Sequence, residues 1–118
     1  MPREKHRIKE VSLEGKIYHV GYKVLTKDMK SLGLRKNHNI LTYPINKWFY
    51  LPEEKIIPGK KDEGGIWVAR TLSDANKLRK YMLEKNTKTR VFKAAIDQVL
   101  YSNSYRIKTN GVLLFEEV

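Results

Sequence analysis

Apolar positions recur every second residue in one early stretch of the chain. Tyr18, Val20, Tyr22 and Val24 alternate with polar or small residues, the signature of a strand with one buried face. His19 and Lys23 fall on the opposite face. Gly21 interrupts the pattern and marks a bulge or a close backbone approach. Upstream, Val11-Ser12-Leu13 is separated from this strand by Glu14-Gly15, a turn signal. Further on, Gly64–Ile96 reads strand, helix, strand. IWVAR is the first strand and TRVFKAAI the second. Between them Thr71 and Asp74 form a T-x-x-D pair, which opens a helix by capping a first-turn N–H and placing a carboxylate at the positive end of the dipole. Leu72, Ala75, Leu78, Met82 and, one step aside, Tyr81 follow at helical spacing and predict one buried stripe. Asn110-Gly111 separates YRIK from VLLFEEV and predicts a C-terminal hairpin with Arg106 and Lys108 on one face of its first strand. Gln98–Asn103 fits either a helical turn or a strand end.

The expected fold class is α+β. It is a small mixed or antiparallel sheet with one main amphipathic helix, about 71–85, and a C-terminal β-hairpin. Residues 1–118 are expected to form a single domain, with 1–10 as either a flexible basic arm or a first edge strand. Between the regular segments, Thr26 is placed to cap a short helical turn through Met29 that Gly33 stops. Pro44 demotes ILTYP to an edge or extended segment, and NKWFYLP reads as a short strand. Pro52–Gly65 is a loop with a Pro58-Gly59 turn, and a lid over a pocket is one use for it.

Charge changes the picture. Lys and Arg number 24 against 13 Asp and Glu, a formal charge of +11 in 118 residues. Such an excess attracts polyanions, and DNA or RNA is the partner it points to. The candidate phosphate contacts are Arg35 and Lys36 in a basic loop with His38, Lys60 and Lys61, Lys77, Arg79 and Lys80 on the outer helix face, and Arg106 and Lys108. Trp48 and Tyr50, beside Lys47, are candidate base-stacking groups, against the commoner use of such aromatics as core. A second class of reading is a protein-interaction module or homodimer that pairs an exposed strand edge. No apolar run is long enough for a membrane span, so no membrane partner is expected. The absence of cysteine fits a reducing, cytoplasmic setting.

Several chemistries find no motif. Without cysteine there is no thiolate nucleophile or thiolate metal site. His6, His19 and His38 are scattered, with no metal-ligand spacing. GKK in the loop lacks the remaining positions of a phosphate loop, and no Gly-x-Ser-x-Gly elbow occurs. No catalytic residue, metal site or cofactor is indicated from the residues themselves.

GYKVL, GGIWVARTLSDA, RVFKAAI and GVLLFEEV fall in an order that resembles small ADP-ribosyltransferase-like domains. The resemblance covers most of the chain from about Tyr18 onward and rests on pattern and spacing. It implies a nucleotide, NAD in the active families, held near Lys23, Trp67 and Arg70. Lys23 takes the place of the family's first-strand Arg or His, and Trp67 lies near its middle position. The family's late glutamate has no counterpart at a strand start, since Glu116 and Glu117 lie in the last strand. What the resemblance implies is therefore a nucleotide-binding relative of that fold, an active enzyme or a degenerate one.

Overall fold

The computed structural model describes residues 9–33 and 40–118. An eight-stranded antiparallel sheet and one α-helix make up the fold, so the α+β expectation holds, with the sheet dominating. Its spine is β2 (Lys16–Thr26), eleven residues long. β1 (Lys9–Leu13) enters through Glu14 and Gly15, whose φ of 50° and 81° suit the two positive-φ positions of a tight hairpin turn. Lys9 and Glu10, expected at the end of either a flexible basic arm or a first edge strand, are strand residues; 1–8 lie outside the described residues.

One edge of β2 pairs with β5 (Thr89–Ile96) along its whole length from His19 to Thr26. The other edge pairs first with β1 and then meets β4 (Ile66–Ala69) at a single position, Tyr22 opposite Ala69. Beyond β4 lie β7 (Arg106–Thr109) and β6 (Val99–Ser102). Beyond β5 lie β8 (Gly111–Glu117) and β3 (Trp48–Tyr50).

This sheet buries two apolar clusters. Leu25, Phe92, Ile96, Ile107, Val112 and Leu114 pack on one side of β2 and β5. Tyr22, Val24 and Val91 pack on the other, under α1 (Leu72–Glu84) through Ala75, Leu72 and Leu78. Every residue from Val20 to Leu25 is consequently buried, because a central strand covered on both faces has no solvent side. Gly21 is where β4 comes closest: a Cβ there would overlap Val68, the close approach that the glycine signalled.

The helix forms as the pattern required. Thr71 is its N-cap, Oγ1 accepting from the Asp74 N–H at 3.1 Å and donating to Asp74 Oδ2 at 2.8 Å. At the other end Asn86 takes φ 62°, and the Thr87 N–H reaches back to the Met82 carbonyl at 2.9 Å. Tyr81, placed by sequence beside the buried stripe, is instead 45% exposed, since the sheet beneath is covered by the Leu72–Ala75–Leu78–Met82 side alone.

Two expectations are corrected. No C-terminal hairpin joins β7 to β8. Both edges of β7 are taken by β4 and β6, and both edges of β8 by β5 and β3, so Asn110 carries the chain from one half of the sheet to the other. Neither Asn110 nor Gly111 has the positive φ a two-residue hairpin turn needs. The local hairpin is β6–β7, tied by Asn103 Oδ1, which accepts from the backbone N–H of Tyr105 and Arg106. Nor does Thr26 open a helical turn. Met29 takes φ 64° and the chain doubles back, Lys30 bridging to Thr42 and the Tyr43 N–H donating to the Met29 carbonyl at 2.8 Å. This excursion lays Leu41 and Tyr43 against the larger core cluster.

Candidate ligand cleft

Because β2 and β4 meet only at Tyr22 and Ala69, the two strands part immediately afterwards. A cleft of about 880 Å³ opens there, within the range of small-molecule sites. Lys23, the next residue of β2, lines it. It is 8% exposed, and its Nζ donates to the Trp67 carbonyl of β4 at 2.8 Å, so its side chain spans the gap that the ladder leaves. The ammonium also lies 5.0 Å from the Tyr43 ring centroid, a cation–π distance. Among the described residues no carboxylate pairs with it. Burial pushes its pKa from 10.5 down to about 8.

The walls come from elements far apart in sequence. α1 contributes Asp74, Lys77 and Leu78, the stretches 31–33 and 40–43 Leu32 and Leu41, and β7 Arg106. The Arg106 guanidinium sits 3.8 Å over the Trp67 ring and 3.4 Å from Asp62 Oδ1. Trp67 Nε1 donates to the Asp62 carbonyl at 2.8 Å. Asp62, Trp67 and Arg106 therefore hold one another in place across a loop and two strands.

The residues singled out from the sequence separate into distinct surroundings. Lys23, Trp67, Lys77 and Arg106 meet at the cleft. Arg70 does not line it; buried, it donates from Nη1 to the Asn103 carbonyl at 2.8 Å and ties the end of β4 to the β6–β7 turn. Lys108 has no exposed surface with which to meet a phosphate. Its Nζ donates to the carbonyls of Ile57, Gly59 (3.1 Å) and Lys61 (2.9 Å), and burial lowers its pKa. Its stem passes over Gly65, where a Cβ would collide with it. Lys60 and Lys61 are exposed on that loop, and Lys77, Arg79 and Lys80 on α1. Trp48 is half-buried and Tyr50 46% exposed; with Tyr18 they form an aromatic group on the sheet, ring centroids 5.0 and 5.6 Å apart. Arg35, Lys36, His38 and His6 lie outside the described residues. Glu116 and Glu117 face Lys93 and Arg90 on β5, at 3.6 and 2.7 Å.

Sequence reasoning did not select Asp62, Asp74 or Tyr43 for this site. Asp74 was read only as a capping residue, and nothing local to Asp62 or Tyr43 distinguishes them from loop and core. Among the described residues no group of three or more His, Asp or Glu could hold a metal ion, and no helix is long and apolar enough to cross a membrane. No protein-family model, curated protein or solved structure matches the chain.

Proposed function

We propose that the cleft between β2 and β4 binds a small phosphorylated ligand of the nucleotide class. The observation that carries this reading is the open ladder with a buried lysine beside it: Lys23 brings positive charge to the cleft with no acidic partner among the described residues. Lys77 and Arg106 add cationic groups around it, and Leu32, Leu41 and Leu78 supply apolar surface for a ring or sugar. Such sites combine apolar lining with a few placed charges. The resemblance to ADP-ribosyltransferase-like domains supports the same ligand class, with NAD as one member to test. Binding without group transfer is the reading adopted, because Glu116 and Glu117 are engaged on β5, away from the cleft lining. Titration calorimetry with NAD, ADP, AMP and adenosine tests it. Phosphorylated ligands are expected to bind, adenosine at least about tenfold more weakly, and Lys23→Met to weaken the phosphorylated ones by a similar factor. Absence of heat with every nucleotide at millimolar concentration would rule the reading out.

The net charge of +11 and the exposed Lys60, Lys61, Lys77, Arg79 and Lys80 favour a second reading, a nucleic-acid-binding surface. Its contacts are phosphates, so the binding constant should fall linearly with salt on logarithmic axes, by about 0.9 per phosphate neutralised on duplex DNA. Affinity that ignores salt would count against it. Trp48 and Tyr50, with Tyr18, are the groups on which bases would stack in that reading.

A further inference from the structure

We infer that Lys23 is a carbonyl-reactive lysine, and that the cleft takes aldehydes bearing a phosphate, which it captures as an imine on Nζ. This deepens the reading of the cleft as a phosphate-ligand site and rests on it. Lys23 lines an open cleft, yet its side chain is shielded from bulk water. Its hydrogen-bond acceptor, the Trp67 carbonyl at 2.8 Å, can take only an N–H. In the neutral amine the lone pair is therefore turned away from Trp67. Nearby carboxylates are already occupied: Asp74 Oδ2 accepts from Thr71, and Asp62 Oδ1 from Arg106. Neither adds a proton-holding ion pair to Lys23. Lys77 and Arg106, which also line the cleft, are placed to take the phosphate of a ligand whose aldehyde reaches inward.

The chemistry closes without another reagent. The Nζ lone pair adds to the aldehyde carbon, and the oxygen takes up the proton lost from nitrogen to give a carbinolamine. Loss of water then forms the C=N bond, so amine plus aldehyde gives imine plus water. Burial helps by keeping more of this lysine in the free-base form. A pKa near 8 rather than 10.5 leaves roughly a hundredfold or more free amine near neutral pH than an exposed lysine has. Restricted access offsets part of that advantage.

The test uses pyridoxal 5′-phosphate as the probe, followed by borohydride reduction, proteolysis and mass spectrometry of the intact chain's peptides. At limiting probe the adduct on Lys23 should exceed that on the average exposed lysine by about tenfold. AMP should suppress it, pyridoxal without phosphate should label Lys23 several-fold less, and Lys77→Ala should reduce labelling by the phosphorylated probe more than by pyridoxal. Lys23→Arg, which keeps the charge, should remove the adduct at that position alone; circular dichroism checks that it is folded. Labelling spread evenly over surface lysines would overturn the inference, as would Lys23 labelling indifferent to phosphate. Calorimetry with AMP runs in parallel. Nucleotide binding with no Lys23 adduct sinks the lysine chemistry and leaves the ligand cleft standing, whereas failure of both removes the cleft reading itself.

Discussion

Two lysines among the described residues are withdrawn from solvent, and their surroundings differ in kind. Lys108, 0% exposed, gives its ammonium to three carbonyls of one loop, those of Ile57, Gly59 and Lys61. Lys23, 8% exposed, gives one hydrogen bond to Trp67, rests by the Tyr43 ring and lines the cleft. A buried ammonium is costly unless its donors are used. Lys108 uses its three and so becomes a latch, fixing the loop that re-enters the sheet at β4. Lys23 keeps donor capacity beside an open cleft. Burial depth alone would class them together; the count of acceptors separates them.

The largest expected effect lies on the latch. Lys108→Met leaves three loop carbonyls without their donor and should lower stability by about 3–4 kcal/mol, read from the urea midpoint. Loop 57–61 should also gain amide exchange and protease sensitivity. Lys23→Met, by contrast, replaces a buried charge with an apolar group of similar length and should leave stability at neutral pH equal to or above that of the parent. If both substitutions destabilise alike, the distinction drawn between the two lysines fails.

The pH dependence of Lys23 sharpens the same contrast. Its folded pKa of about 8 lies below its unfolded value, so the unfolded chain binds more protons between the two. Stability contributed by this group therefore rises with pH from about 8 to 10.5, by up to roughly 3 kcal/mol, and is flat below that window. Subtracting the Lys23→Met profile from the parent's isolates the rise; a difference that is flat across the window would show that the amine is not desolvated.

Smaller effects probe the frame of the cleft. Gly21→Ala drives a methyl into Val68 at the point where β4 meets β2, and about 2 kcal/mol of destabilisation is expected, with weaker ligand binding. Thr71→Ala removes the helix cap and should cost about 1 kcal/mol by chemical denaturation, with little change in affinity. Equal loss of affinity in the two variants would mean that the cleft depends on overall stability rather than on the β2–β4 contact.

Much of the fold was legible. The helix appears where its spacing and Thr71-x-x-Asp74 placed it, because caps and periodicity act within a turn or two of chain. The Glu14-Gly15 turn was likewise a local fact of backbone geometry, and Gly21 signalled a close approach, but that Val68 of β4 makes this approach was decided by the tertiary structure. Asn110-Gly111 misled for the opposite reason: the turn signal is local, but strand pairing is decided by which edges remain open, and β7 and β8 had both found other partners. In the cleft, Lys23 and Trp67 were grouped with Arg70 through the resemblance and Arg106 was selected separately as a phosphate contact, yet nothing in their spacing brings Arg106 to the other two or takes Arg70 away. Lys108 was expected on the surface because a lysine in an alternating strand reads as solvent-facing until a loop covers it.

By itself the sequence determined the charge, the helix and its cap, and the hairpin turn into β2. These depend on neighbours within a few residues and on hard-sphere limits of the backbone. Only the tertiary structure decided that β2 would be buried on both faces, that its ladder with β4 would open beside Lys23, and that one buried lysine would hold a loop while another faced a cleft. Those outcomes rest on contacts across 44 residues in one case and 47 to 51 in the other, where the competition among edges, carbonyls and apolar faces is settled for the whole chain at once.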